Sequence, residues 1–251
     1  MSKSDADFLK GLEAESRRKQ EAFLGGIASR LGRPRITEPP ARPFRGAPDF
    51  WNAVDLDEEA RIRLFMDNWR KAGGHAEKLA SMEEAAAFVR QLIRDLEARR
   101  VIRQDQPELE AIAAVLETAE ELDRLTVWNA ERASDAEKEA MLADAAGADI
   151  GLVAADCAAA HTGTVVLTSS PRKGRSVSLL PAVLVAVVPA SRLKMRLGEV
   201  LRPLDGLAAG ARPAGIHFVS GPSRSADIEN DLTIGVHGPG IVYALVVEDC
   251  Q

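Results

Sequence analysis

One apolar run constrains the fold more than any other part of this chain. Residues 183–188 read VLVAVV, without a polar member. A strand that carries no polar side chain must be covered on both faces, which is typical of the inner strands of a parallel sheet. The run therefore predicts a sheet that lies in the interior of an α/β protein.

Helical and strand-like segments alternate along the rest of the chain. Four amphipathic helices are predicted, the first opening at Asp55 and the last starting at the capping pair Ser134 and Glu137 and ending near Gly147. One more helix is expected at residues 191–201. The strands are predicted at residues 75–79, 101–102, 125–128, 150–154, 164–168, 183–188, 216–219 and 241–247. This order predicts a mixed, mainly parallel sheet with helices on both faces.

The first 48 residues differ in character from the rest. Residues 1–31 form a predicted helix with a heavily charged centre, which could lie on the domain or pair with another chain. A segment rich in proline and arginine follows at residues 33–48, and proline favours an extended backbone there. We therefore predict an N-terminal helix and linker over residues 1–48 and an α/β domain over residues 49–251.

Composition excludes several classes of function. The net charge is -6 and no basic stripe is present, so nucleic acid is not an expected partner. The longest apolar run, residues 179–190, is too short for a membrane span, which needs ~20 residues. The polar N-terminus lacks a signal-peptide core, so a cytoplasmic location is expected. Cys157 and Cys250 cannot supply four ligands for an iron–sulfur cluster or structural zinc, so neither a metal site nor a cofactor is predicted in this chain.

Three polar loops could carry chemistry, because ligands of open α/β sheets bind beyond the carboxyl ends of the strands. The first loop offers the hydroxyls of Thr162 and Thr164 beside the turn-forming Gly163, or it simply connects two strands. The second, residues 171–175, carries three cations. Its Arg175 could bind a carboxylate or phosphate bidentately, or the loop is a solvated hairpin tip.

The third loop, residues 220–229, is the most favoured site. Ser223 or Ser225 could cap a short helix that holds Asp227 and Glu229. Free amides at the start of such a helix bind anions. Acidic residues in a first helical turn can equally serve only to complement the helix dipole.

Glycines shape the surroundings of this third loop. Gly221 forces a sharp turn, and Gly235 and Gly238 flank His237, which could reach the same strand ends or simply occupy a turn. Together these groups predict one polar cavity at a rim of the sheet. Dinucleotide-binding, P-loop, serine-hydrolase and zinc-protease motifs are not found, so the sequence gives those activities no support.

The third loop also carries a family resemblance. Residues 221–229, GPSRSADIE, and residues 235–239, GVHGP, resemble the signature of the LUD-domain family. Residues 161–167 and 175–181 are similar to two further segments of that family, and all four follow in the expected order. His161 stands where the family pattern leads us to expect an acidic residue, so no role is carried over to it.

The resemblance implies a fold similar to the sugar-phosphate isomerase and CoA-transferase-like group. It also implies membership of a three-component system that oxidises L-lactate to pyruvate, with iron–sulfur oxidoreductase subunits as partners that carry the clusters. The ligand would then be a small carboxylate, held by Arg224 and the amides after Ser223. The expected catalytic residues are His237, Asp227 and Glu229. The predicted ligand-binding residues are Thr162, Gly163, Thr164, Arg175, Gly221, Ser223, Arg224, Ser225 and Gly238.

Two other classes of function stay open. A stand-alone transferase or isomerase would act on a phosphorylated or acyl-activated molecule through a carboxylate nucleophile such as Asp156, Asp227 or Glu229, by analogy with the wider fold group. A binding or sensing module would hold a small anion in the same pocket without chemistry. Turnover by the isolated chain supports the former, and binding without turnover supports the latter.

Overall fold

The computed structural model describes residues 3–38, 56–226 and 232–248. The chain divides into two compact units, residues 1–54 and 55–251. In the first unit, α1 spans Lys3–Arg30 and carries ion pairs one turn apart, such as that between Arg17 and Glu13. The predicted boundary after residue 48 falls outside the described residues and stays a prediction.

A six-stranded parallel sheet forms the centre of the second unit. The strands lie in the order β1-β12-β7-β4-β2-β3. The apolar run at residues 183–188 is part of β7, which lies inside the sheet and is buried along its whole length. The strands of this main sheet are β1 (His75–Leu79), β2 (Arg100–Gln104), β3 (Arg124–Trp128), β4 (Ile150–Ala154), β7 (Val183–Pro189) and β12 (Ile241–Val247).

Helices cover both faces of the main sheet, as predicted. Alternate side chains of β7 enter two different cores, Val185 on one face and Ala186 on the other. The first core is closed by α3 (Met82–Asp95) and α4 (Glu110–Leu116). The second is closed by α2 (Glu58–Lys71), α5 (Asp135–Ala146) and α6 (Ser176–Leu179), where Trp69 is fully buried.

The helix starts follow the capping residues in the sequence, with one shift. α5 has the complete capping box of Ser134 and Glu137. α2 is capped by Asp57, whose side chain accepts a hydrogen bond of 2.7 Å from Ala60 N. The predicted start at Asp55 is therefore two residues early for this cap, and Asp55 itself lies outside the described residues.

A second, four-stranded sheet packs into the core that α2 closes. It contains, in spatial order, β8 (Leu193–Lys194), β5 (Cys157–Ala159), β6 (Thr164–Thr168) and β9 (Ile216–Val219). The alanine-rich stretch 154–160 thus includes a strand. The helix predicted at 191–201 is wrong in its start, because Leu193 pairs with Ala158 in this sheet and α7 forms only at Leu197–Asp205.

The direction of the connections reverses between the neighbouring strands β2 and β4. From β2 the chain continues to β3 at one edge of the main sheet, whereas from β4 it continues through β5 and β6 to β7 on the other side. Such a reversal opens a crevice at the carboxyl ends of the two strands, where α/β proteins bind ligands. We call this side of the main sheet the carboxyl edge and the opposite side the amino edge.

Candidate functional site

The most favoured predicted segment lies at the amino edge, not at the carboxyl edge where it was expected. It leads through Pro239 into the start of β12. Gly221, with a φ of 90°, packs on Ala72, the residue that directly follows α2 before the turn into β1, and a Cβ added to Gly221 would lie 2.6 Å from Ala72 O. Arg224 donates a hydrogen bond to the same carbonyl. Both contacts place the segment where parallel strands begin.

A short hairpin takes the place of the predicted helix within this segment. Arg224 and Ser225 form β10, which pairs antiparallel with β11 (Thr233–Ile234). Neither serine therefore begins a helix in the described part of the loop. Asp227 and Glu229, two of the three predicted catalytic residues, lie outside the described residues.

Ser223 is the centre of the hydrogen bonds that hold this hairpin. Its N–H donates to Pro239 O at 2.9 Å, and its carbonyl accepts from Gly235 N at 2.9 Å. Its hydroxyl accepts from His237 N at 3.3 Å. The amides of Ser223, Gly235 and His237 are thus paired within the protein. His237 and Gly238 line a cleft of about 800 Å³ at the amino edge, together with apolar neighbours such as Leu180.

The Thr162–Thr164 turn lies beside this segment. Thr164 Oγ1 donates to Thr162 Oγ1 at 2.7 Å and lies 2.8 Å from Ser220 Oγ. Gly163 has a φ of 57°, and a Cβ added to it would lie 2.6 Å from Trp69 N in α2. The backbone of α2 therefore fills the space beside Gly163 in which a ligand was expected.

Arg175 lies away from the other predicted ligand-binding residues. It directly precedes α6, and its Cδ lies near Gly215, whose carbonyl accepts from Ser169 N at the far end of β6. The length of β6 separates this end from Thr164, about 13 Å at ~3.3 Å per residue. The predicted residues thus form two groups, and their roles in ligand binding stay predictions.

Six charged side chains line a different cleft, of about 470 Å³, at the carboxyl edge. The sheet topology brings these side chains together, because they follow the neighbouring parallel strands β2, β4 and β7 or belong to the loop before α6. Acidic and basic groups are balanced in number, so the cleft suits a ligand that carries both acceptor and donor groups. We call this set the carboxyl-edge cluster: Asp105, Glu108, Asp156, Arg172, Lys173 and Arg192.

Asp156 is the most connected member of the carboxyl-edge cluster. Its Oδ2 accepts from the backbone N–H of Thr168 at 2.6 Å and from the Thr168 hydroxyl at 2.9 Å. Its Oδ1 accepts from Lys173 Nζ at 2.5 Å, and Lys173 also donates to Thr168 Oγ1 at 2.7 Å. An ammonium has three N–H donors, so one is left for a ligand in the cleft.

Buried Gln106 closes the gap between β2 and β4 beneath this cluster. Its Nε2 donates to Ala154 O at 3.0 Å, and Ala154 N donates to its Oε1 at 2.9 Å. The side chain thereby satisfies both backbone groups at the end of β4, as a neighbouring strand would. Both backbone groups of Ala154 at the floor of the crevice are therefore hydrogen-bonded.

The arginines of the cluster are held at its two sides. Arg192 donates to Ala155 O at 2.8 Å and pairs with Glu108. Arg172 donates to Glu131 at 2.9 Å, and this bond raises the pKa of the Arg172 guanidinium. Their remaining N–H groups are available to a carboxylate, because each guanidinium has five.

The described part of the chain contains no cluster of side chains suited to a metal ion. There, no group of three or more His, Cys, Asp and Glu side chains is placed to hold an ion. The thiol of Cys157 donates to Arg192 O at 3.2 Å, and burial raises its pKa, which favours the protonated thiol. Cys250 lies outside the described residues. Within the described ranges, every helix is too short or too polar to cross a membrane.

Most of the carboxyl-edge cluster was not predicted from the sequence. Asp156 was expected only as an alternative nucleophile, and Lys173 only as part of a cationic loop. A signal was present at Asp105 and Gln106, because both are polar residues placed directly after a strand. Which strand ends lie next to one another depends on strand order, and that order cannot be seen in the sequence.

Comparison with known proteins identifies the family. A family model described as the LUD domain matches residues 62–247. The chain belongs to the LUD-domain family. Lactate utilization protein C of Halalkalibacterium halodurans is 34% identical over 235 residues, which cover 92% of this LUD-domain protein and 98% of the relative.

Other relatives match over a similar length. Lactate utilization protein C of Bacillus subtilis strain 168 is 32% identical over 240 residues, covering 92% of this chain and 96% of that protein. The uncharacterized protein YkgG of Escherichia coli K12 is 30% identical over 232 residues, covering 91% of this chain and 97% of that protein. These similarities confirm the predicted family.

A solved structure supports the fold. The crystal structure of a DUF162 family protein from Deinococcus radiodurans, at 1.70 Å resolution, matches with a TM-score of 0.53 and 19% identity. The match covers 77% of this chain and 99% of that chain. It confirms the predicted α/β architecture, whereas the similarity to the sugar-phosphate isomerase and CoA-transferase-like group stays a prediction.

Proposed function

We propose that this LUD-domain protein is a cluster-free subunit of a cytoplasmic system that oxidises L-lactate to pyruvate together with iron–sulfur oxidoreductase subunits. One observation carries the proposal. The similarity to Lactate utilization protein C of H. halodurans extends over 92% of this chain and 98% of the relative, so it involves the whole fold and not a shared segment. The sequence has two cysteines, too few to hold an iron–sulfur cluster, so the electrons released from lactate pass to clusters on the partners.

The carboxyl-edge cluster is the better of two places for a 2-hydroxy acid. Lactate needs cations or amides for its carboxylate and an acceptor near its hydroxyl. At the amino edge, the amides around Ser223 are paired and Arg224 donates to a backbone carbonyl. At the carboxyl edge, Lys173 and Arg192 retain unused N–H donors within one cleft. Asp156 and Asp105 supply acceptors for the hydroxyl in the same cleft.

Reconstitution tests the proposal. The chain is purified and combined with the two iron–sulfur partners, and lactate-dependent reduction of a dye is measured with and without it. We expect little reduction when the chain is omitted. Undiminished dye reduction in its absence would refute the subunit role.

Paired variants then locate the ligand. Lys173→Gln should lower dye reduction by about tenfold or more, because a hydrogen bond to a charged group is lost. Arg224→Gln and the exposed surface variant Arg132→Gln should leave the rate unchanged. If Arg224→Gln reduces the rate and Lys173→Gln does not, the subunit role stands and the ligand lies at the amino edge.

A stand-alone enzyme with Asp156 as its nucleophile gains less support from this geometry. Both oxygens of Asp156 already accept hydrogen bonds from Thr168 and Lys173. A carboxylate held in this way is suited to positioning rather than to attack. Turnover of sugar phosphates or CoA thioesters by the isolated chain would reverse this preference.

A further inference from the structure

A second cleft at the carboxyl edge, of about 800 Å³, differs in charge from the rest of the protein. The chain as a whole has a net charge of -6, yet none of the described residues that line this cleft is acidic. Its cations are Lys173, Arg175 and Arg212. Lys173 is neutralised by Asp156 of the adjoining cluster, so the two arginines carry the uncompensated charge.

Residues that line this cleft carry hydrogen-bond donors that the described part of the protein does not use. The Arg175 guanidinium forms no hydrogen bond or ion pair with any described residue. Toward the described residues, Arg212 donates only through its Nε, to Leu207 O at 3.1 Å. Among the described residues, the hydroxyl of Ser170 is also without a hydrogen-bond partner. We call this site the serine–arginine cleft, lined by Thr168, Ser169, Ser170, Lys173, Arg175 and Arg212.

Gly215 lies beside Arg175 and Ser169, two residues that line the serine–arginine cleft. A Cβ added there would lie 3.4 Å from each of Arg175 Cδ, Ser169 Oγ and His217 Nε2. Both ring nitrogens of His217 are buried and have no partner among the described residues. Burial, and then the charge of Arg175, lowers the pKa of His217, so the imidazole is neutral at neutral pH. A neutral ring keeps one acceptor nitrogen and one donor there.

Apolar side chains form another part of the cleft lining. Leu204 of α7, Leu207 and Pro213 contribute to it, and Trp128 lies at the end of β3. A cleft of this volume falls in the range of small-molecule sites, about 300–1,000 Å³. The site therefore combines a cationic, hydroxyl-bearing side with a wall that can bury an organic group.

We propose that the serine–arginine cleft binds a phosphate monoester that carries an apolar organic group. Two uncompensated guanidinium groups match the charge of a phosphate monoester, about -1.5 to -2 at neutral pH. A monocarboxylate such as lactate would leave one of them without a counter-charge. The three terminal oxygens of the ester also match the spread of donors on Arg175, Arg212 and Ser170. The inference does not depend on the lactate proposal, because it concerns a separate cleft of the isolated chain.

Titration calorimetry on the purified full chain tests the inference, with phenyl phosphate as the probe and inorganic phosphate and L-lactate as comparisons. We expect phenyl phosphate to bind more tightly than inorganic phosphate, because only the ester contacts the apolar wall. Arg175→Gln and Arg212→Gln should each weaken binding of phenyl phosphate by about tenfold. Arg132→Gln removes the same charge from a surface position outside the cleft and should leave the affinity unchanged.

A second variant separates the two sides of the cleft. Leu207→Ala should weaken binding of phenyl phosphate and leave binding of inorganic phosphate unaltered. The proposal is overturned if phenyl phosphate does not bind, or if both arginine variants bind it as tightly as the parent protein does. It is also overturned if the arginine variants weaken binding of L-lactate as much as they weaken binding of phenyl phosphate. Because no partner subunit is present in this experiment, its failure leaves the reconstitution result untouched.

Discussion

Lys173 and Asp156 form a partly buried ion pair, with 2.5 Å between Nζ and Oδ1, at the point where the connections of the main sheet reverse. Thr168 completes the arrangement, because its hydroxyl donates to Asp156 and accepts from Lys173. The pair joins the segment after β4 to the loop before α6. Lys173 lines both the cleft of the carboxyl-edge cluster and the serine–arginine cleft, so the pair lies where the two clefts adjoin.

The first prediction concerns the strength of this pair. Lys173→Met or Asp156→Asn should each lower the free energy of unfolding by about 1–3 kcal/mol, because a partly buried charge loses its partner. The double variant should show coupling of about 1 kcal/mol between the two sites in urea denaturation. The exposed pair of Lys138 and Asp135, with side chains 47% and 97% exposed, is the control and should couple by less than about 0.5 kcal/mol. Equal coupling in both pairs contradicts the prediction.

The second prediction concerns Gly163. Its φ of 57° disfavours any residue with a Cβ, and an added Cβ would press against Trp69 N at 2.6 Å. Gly163→Ala should therefore lower the free energy of unfolding by more than about 1 kcal/mol. Gly198→Ala is the matched control, because its Cβ would meet open space within α7 and alanine favours helix. Equal melting temperatures for the two variants would contradict the prediction, because they would show that the turn at Gly163 can move away from α2.

The third prediction concerns Gln106 at the floor of the crevice. Gln106→Leu removes both hydrogen bonds to Ala154 and leaves its buried N–H and C=O unpaired. We expect a loss of about 2 kcal/mol or more of unfolding free energy and faster hydrogen exchange at the Ala154 amide. Gln91→Leu changes an exposed glutamine that bonds only to Asp95 and should have little effect. Unchanged exchange at Ala154 would mean that the backbone finds another partner.

The fourth prediction concerns the pH dependence of His217. Burial, and then the charge of Arg175, lowers its pKa from the ordinary value of 6.5. The unfolded chain therefore binds a proton before the folded protein does, so this contribution to stability is complete above the ordinary pKa and is lost as the pH falls below it toward the folded-state pKa. His217→Gln should lose less unfolding free energy than the parent protein between about pH 7.5 and about pH 5.5.

An NMR titration of the imidazole checks the cause. In Arg175→Gln the pKa of His217 should rise, without reaching its ordinary value, because burial is the larger effect. The variant Arg132→Gln, at an exposed position, should leave the pKa of His217 unchanged. A midpoint at or above the ordinary value in the parent protein contradicts the assignment.

Local chemistry made the secondary structure predictable to a large extent. The polar-free run 183–188 and the other β-branched runs became strands, and Ser134 with Glu137 starts a helix because the capping interaction is formed by neighbours in sequence. The start of α7 was not predictable in the same way. Leu193 is drawn into the second sheet by Ala158, a partner that is distant in sequence.

The candidate site was predictable only in part. Arg175 and the cations beside it were visible in the sequence, but their neighbours His217 and Arg212 are brought to them by pairing of β9 with β6 and by the loop before β9. The preference for residues 220–238 rested on polarity and glycine content. Hydrogen bonds from Ser223 to Pro239 and from Gly235 to Ser223 show that much of this polarity is used to build a turn.

The position of β12 has a consequence for synthesis of the chain. β1, made early, pairs only with β12 among the described strands, and β12 also pairs with β7. A chain emerging from the ribosome therefore holds β1 without a partner until residues 241–247 have left the exit tunnel. Until then the edge of β1 that later pairs with β12 is open to other extended chains. Chaperone protection during translation should therefore matter more for this protein than for one whose sheet is built from strands adjacent in sequence.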